Sequence, residues 1–455
     1  MQQSCCFQNG IEELDLSQNP FVSEPFPNFS SFSSLVTLRL RNTSLCGSVS
    51  QVIPQSFGPL HSLKHLDLSQ NNLSGLASGF TQLLSLRTLD LSHNEFNGFL
   101  PNTLGQLSDL DTLILSSNNL SGLISEAHIS TLSNLRILDV SRNLISFNFS
   151  SNWVPSFQLY QLFASSCKIG PNFPLWLKNQ KRLEFLYISD GGIFYNIPEW
   201  FWDLTPGLKY LDLSNNKIHG TVPEITTRQG LLFVDMSNNS LSGRLPNHWE
   251  YFEDLEFLNL AFNKLWGEIP NSIGTLNHIK SIHLNDNNFS GEMPSFMNST
   301  LLLFIDLGQN NLCGMSPESL GNNLPNLIVL VLRANKLQGN IPTTICNLMH
   351  LQILDLSQNE ILGIIPPCLD SLFSMTSVVS PGQLISYSNE DRERETIDYV
   401  FKDRAILVWK GSVIMPSMLL SSLATIDLSN NHLQGEILDS ITRLFRIVFF
   451  KSFKQ

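Results

Sequence analysis

Apolar residues recur along this chain in a short fixed pattern, seen most cleanly in LQILDLSQNEILGIIP, Leu351–Pro366. Leu351, Leu354, Leu356, Ile361 and Ile365 are its apolar positions, and Asn359, Gly363 and Pro366 punctuate them. The two-residue step from Leu354 to Leu356 predicts a short strand that sends both leucines to one side and Asp355 to the other. Asn359 predicts a turn, because its amide can bond backbone groups that a bend leaves unpaired. So short a strand cannot bury a face alone, and the unit makes sense only when stacked on copies of itself.

Such copies start at Ile11, Leu35, Leu63, Leu86, Leu110, Leu135, Leu159, Leu183, Leu208, Leu231, Leu255, Ile279, Leu302, Leu327, Leu351 and Leu423. Starts lie 23 to 25 residues apart, except for 28 between Leu35 and Leu63 and 72 between Leu351 and Leu423. The Asn slot holds Asn19, Asn71, Asn94, Asn118, Asn143, Asn216, Asn239, Asn263, Asn287, Asn310, Asn335, Asn359 and Asn431, with Thr43, Cys167 and Gly191 as exceptions. Stacked, these amides predict a ladder with a purely structural role. Most units then run through Gly into an Ile/Leu-Pro step, as at Gly267–Pro270 and Gly339–Pro342. The proline favours extended or 3-10 segments over full helices.

Composition narrows the function more than the fold. The formal net charge of −12 argues against nucleic acid, which needs a basic stripe. Much of that charge repeats: Asp15, Asp67, Asp90, Asp139, Asp212, Asp235, Asp306, Asp355 and Asp427 fill the slot between the two strand leucines, read here as solvated strand residues and not a cation site. No phosphate-binding glycine loop, zinc signature, nucleophile elbow or kinase motif occurs, so no catalytic residue, metal or cofactor is assigned. Of the cysteines Cys5, Cys6, Cys46, Cys167, Cys313, Cys346 and Cys368, an odd number, Cys167 in its Asn slot reads as buried and free. Cys346 and Cys368, 22 residues apart, fall on neighbouring coils and can pair where the compartment is oxidising. MQQSCCFQNG shows no secretory leader, and Leu444–Phe453 is too short and too charged to span a membrane.

The LxxLxLxxNxLxGxIP unit resembles the plant-specific class of leucine-rich repeats, found in receptor kinases, receptor-like proteins and secreted hydrolase inhibitors. Ser125–Asn143, Asn152–Leu162, Ser166–Gln180 and Ile197–Leu204 break that consensus. In their order they resemble the receptor-like proteins related to the ethylene-inducing-xylanase receptors. The resemblance covers roughly Ile11–Ile437. It implies an α/β repeat, a right-handed leucine-rich-repeat solenoid with a parallel concave sheet and a 3-10 or extended convex side. Residues 1–10 read as a cap remnant, 11–370 as fifteen repeats, 371–422 as an island, 423–438 as the sixteenth repeat and 439–455 as a truncated tail. In the resembling family the island carries a Lys-Gly step, matched by Lys410 and Gly411. The family would continue beyond both ends, so the chain reads as a fragment of an ectodomain.

Function follows as an expectation from that resemblance. It implies recognition of a microbial protein or peptide outside the cell, at the plasma membrane, with co-receptor and adaptor kinases as signalling partners. A soluble inhibitor of polysaccharide hydrolases and an intracellular scaffold are the alternatives. The residue before the second leucine reads Phe185, Tyr210, Phe233 and Phe257 in four successive units and Phe304 two units later, with Phe163 and Tyr187 beside them. Strands about 4.8 Å apart would stack these rings into an exposed ladder, either a partner-binding patch or cross-strand packing that stiffens the sheet. Sequons at Asn28, Asn42, Asn72, Asn119, Asn148, Asn238, Asn288 and Asn298 permit N-glycosylation, though this composition would generate about that number unaided.

Overall fold

The computed structural model describes residues 10–20, 28–49, 60–75, 80, 83–202, 207–224, 230–315, 318–376, 424–435 and 444. It describes the backbone alone of 386–388, 400–402, 407–409, 412–414 and 447–451. The chain divides into two compact units, Met1–Lys217 and Ile218–Gln455.

In the first unit each repeat contributes a three-residue strand two places after its start, from Glu13–Asp15 through Thr37–Arg39 to Tyr210–Asp212. Each pairs in parallel with the next, like position to like position: Leu38 opposite Leu66, Leu138 opposite Leu162, Leu162 opposite Leu186. The second unit repeats this from Phe233–Asp235 to Ala424–Asp427. Ile353 lies opposite Thr425 and Asp355 opposite Asp427, so the sixteenth repeat docks directly on the fifteenth and the segment between them leaves the sheet. Within that segment Ser386–Ser388 pairs antiparallel with Val400–Lys402, and Leu407–Trp409 with Ser412–Ile414.

The leucine register sets the core. Leu351, Leu354, Leu356, Ile361 and Ile365 are all buried. Asn359 donates to the carbonyls of Leu332, Leu356 and Ser357, while its Oδ1 accepts from the Leu337 amide at 3.1 Å. One side chain thus closes its own turn and ties it to the repeat before. The exceptions adapt: the Cys167 thiol donates to the Val140 carbonyl, and Asn71 reaches across to Thr43. Burial pushes the Cys167 thiol up to about 12 and keeps it protonated.

Beyond the ladder the chain forms a second set of short parallel strands. In the first unit these include Asn97–Phe99, Asn119–Ile124 and Leu144–Phe147, and in the second Ser240–Gly243, Lys264–Gly267 and Asn288–Gly291. Gly267 and Gly291 end their segments at φ 91° and 80°, where a side chain would be strained. The proline then starts one 3-10 turn, as in Asn271–Thr275 after Pro270 and Thr343–Asn347 after Pro342. Short α-helices replace it where the consensus fails, at Glu126–Ile129 and Glu199–Trp202. Cys346 and Cys368 leave two such turns and are bonded, with their Cα atoms 5.8 Å apart.

The Asp slot is not simply solvated. Asp139, Asp235, Asp306 and Asp355 are buried, and each accepts the amide of the residue two places on, as Asp355 does from Ser357 at 3.0 Å. The carboxylate caps the strand exit, which explains its recurrence without a ligand.

Candidate functional site

Residues alternating with the inward leucines form the outward face of each sheet. In the first unit Phe185 and Tyr210 stack at 4.6 Å with planes 6° apart, Tyr160 meets Phe185 edge-on at 5.5 Å, and Phe163 stacks on Tyr187 at 5.0 Å. In the second, Phe233 and Phe257 stack at 4.4 Å, again 6° apart. Ser281 then leaves a gap in the row, and His283 fills it, 5.4 Å from Phe257 and 4.5 Å from Phe304.

The rings form ladders, but not exposed ones. Phe163, Phe185, Tyr187, Phe233, Phe257 and Phe304 are all buried, Phe257 at 1% exposure and Phe304 at 0%. Among the expected rings, Tyr210 alone keeps a half-buried surface. In-register pairing brings like positions face to face at ring-stacking distance, so each ring takes water from its neighbour. Cross-strand packing is therefore what most of these residues visibly do.

Several acids of the Asp slot on these outward faces are also desolvated. Desolvation pushes Asp306 up to about 7, opposed by the Gly308 amide and by His283, and it raises Asp355 and Asp90 to about 6. Asp139 and Asp212 are raised by the same cause. Among the described residues, no cluster of three His, Cys, Asp or Glu could hold a metal ion.

An accessible ring lies elsewhere. Phe262 stands three places beyond the strand Phe257–Asn259, 40% exposed and at φ 55°. That left-handed slot recurs just before each ladder residue and is otherwise mostly polar: Gln70, Arg142, Asn215, Asp286, Gln358. Bulky side chains avoid this conformation, so Phe262 is both strained and wet. Comparing that row across repeats would have found it in the sequence; His283 had no such signal, since a lone histidine beside a serine looks ordinary.

The family described as Leucine rich repeat matches residues 33–96, and again 10–32, 207–228, 254–276, 326–348, 350–372 and 422–444. Receptor-like protein EIX2 of Solanum lycopersicum is 36% identical over 368 residues, covering 70% of this chain and 36% of that protein. Receptor-like protein EIX1 of the same plant is 45% identical over 102 residues, 22% of this chain and 10% of that one. The chain belongs to the leucine-rich-repeat receptor-like proteins of plants. It spans about a third of the length of EIX2.

Solved structures agree on this receptor-like protein's fold, a leucine-rich-repeat solenoid with a parallel sheet. The crystal structure of a TDR receptor matches with a TM-score of 0.71 at 22% identity, covering 93% of this chain and 64% of that one. The Arabidopsis receptor kinase HAESA, in complex with the peptide hormone IDA and the co-receptor SERK1, matches at 0.56 and 24%, covering 98% and 74%. All eight sequon asparagines of the receptor-like protein, Asn28, Asn42, Asn72, Asn119, Asn148, Asn238, Asn288 and Asn298, are exposed, whereas most ladder asparagines are buried. Lys410 and Gly411 lie between Leu407–Trp409 and Ser412–Ile414 and outside the described residues. No helix among the described residues is long and apolar enough to cross a membrane.

Proposed function

We propose that this chain is the recognition part of an extracellular plant receptor-like protein, binding a microbial protein or peptide in defence signalling through partner kinases. Phe262 carries the reading. A ring held at a strained backbone angle and left in water is not required by the repeat, which mostly uses polar residues there. The buried ring ladder of the neighbouring strands stiffens the sheet, and stiffness limits the entropy lost on binding. The island with Lys410 and Gly411 is a second contact of the unit that holds Phe262, and the first unit offers a contact of its own at the half-buried Tyr210. The reading has a binding role and no catalytic one. HAESA, with a peptide hormone and a co-receptor bound, supports a partner of this kind.

The test immobilises the purified chain and offers a secreted fungal xylanase, then filtrates of fungal and bacterial cultures. Saturable binding that leaves the bound xylanase active supports a receptor. Loss of its activity supports a hydrolase inhibitor instead. Absence of any saturable binder contradicts recognition.

A further inference from the structure

We propose that Asn119 and Asn288 carry N-linked glycans whose first sugars lie on exposed aromatic rings of the preceding strand, Phe99 and Trp266. The proposal rests on the extracellular reading, because only a chain in the secretory route meets the transferase.

Asn72, Asn119 and Asn288 each open a strand of the second set, and in each the next residue, Leu73, Leu120 or Phe289, is fully buried. Strand alternation therefore puts the asparagine and the sequon's serine on the same outward side. Register decides what each sequon faces. Trp266 is directly opposite Asn288, and Phe99 directly opposite Ser121 of Asn119-Leu120-Ser121. Opposite Asn72 stands Cys46, with no ring.

Repeat construction does not require those rings. Trp266 occupies the place just before the repeat glycine, where Ser74, Ser121, Ser242 and Ser290 stand in other units. Phe99 occupies the place just after it, where the second unit has Glu268 and Glu292. Yet Phe99 is 75% exposed and Trp266 47%. Arg244 of the preceding repeat lies 5.1 Å from the Trp266 ring centroid, and the strand on the other side is the one that bears Asn288.

A proximal N-acetylglucosamine supplies what these rings lack. Trp266 and Asn288 are directly opposed on parallel strands about 4.8 Å apart, whereas Phe99 stands two places beyond the residue opposite Asn119, so the Asn119 sugar reaches its ring diagonally. A sugar on the asparagine amide then presents its C–H face to the electron-rich ring face and removes apolar surface from water. In the covalent step the Asn side-chain nitrogen bonds to C1 of the sugar and loses a proton. The C1–oxygen bond to a lipid diphosphate breaks, and the diphosphate leaves with the electron pair. The lipid-linked oligosaccharide is the co-reactant.

The test secretes the chain from glycosylating cells behind a foreign leader and maps occupancy by glycopeptide mass spectrometry. Both Asn119 and Asn288 should be modified. Asn288→Gln should lower the thermal midpoint by about 2–4 °C in the wild-type background and not in Trp266→Ala. Asn119→Gln should behave likewise against Phe99→Ala. Enzymatic trimming of the purified protein to the first sugar should keep the midpoint, and complete removal should lower it, which needs no asparagine variant. An unmodified Asn119 or Asn288 in secreted protein, or an equal loss in both backgrounds, would overturn the proposal. Because the leader is foreign, a glycosylated chain that binds no ligand sinks the receptor reading alone.

Discussion

Phe262 shows how one residue can separate function from stability. The left-handed backbone costs a bulky side chain about 1–2 kcal/mol, and asparagine tolerates it. Phe262→Asn should therefore raise resistance to urea slightly while weakening ligand binding at least about tenfold. A stability loss with the binding loss would make Phe262 a packing residue. Asp306 makes a second residue-scale prediction. Its folded pKa is raised to about 7 from an ordinary value near 3.8, so the folded state holds a proton that the unfolded state has released between those values. Stability from this group is thus full below pH 4 and is lost as pH rises towards 7. Urea midpoints measured at pH 5 and pH 8 should fall with rising pH, and Asp306→Asn should flatten the difference while keeping an acceptor for the Gly308 amide. An unchanged pH dependence in that variant would remove Asp306 as its source.

At the scale of the element, each coil depends on its inward leucines and on closure of its turn. Leu258 is fully buried between like positions Val234 and Ile282. Leu258→Asp should cost several kcal/mol by burying an unpaired charge, and faster hydrogen exchange should centre on strands Phe233–Asp235, Phe257–Asn259 and Ser281–His283. Exchange accelerated evenly through the chain would contradict neighbour-only coupling. The Cys346–Cys368 bond closes a span of 22 residues, for which chain entropy gives about 3 kcal/mol. Cys346→Ser should lose roughly that in denaturant titration, whereas Cys167→Ser, a thiol already reduced and buried, should leave the disulfide's contribution intact.

For the whole molecule, what the sequence showed and what it hid have different physical sources. Leu354 and Leu356 were legible because strand alternation is local, and Asn359 because a turn needs an amide whatever surrounds it. Exposure of Phe185, Phe233 and Phe257 was not legible: period two says which face a ring takes, not how closely its neighbour in the next repeat covers it. Burial of Asp306 and Asp355 escaped for the same reason. His283 became interpretable only once Ser281 was seen to leave space between Phe257 and Phe304.

Recognition by this molecule is tested most directly by the affinity of a captured ligand for the wild-type chain and for Phe262→Asn, each with its urea midpoint measured on the same preparation. The account predicts weaker binding by at least about tenfold with stability kept or raised. Equal affinity for both chains would contradict it.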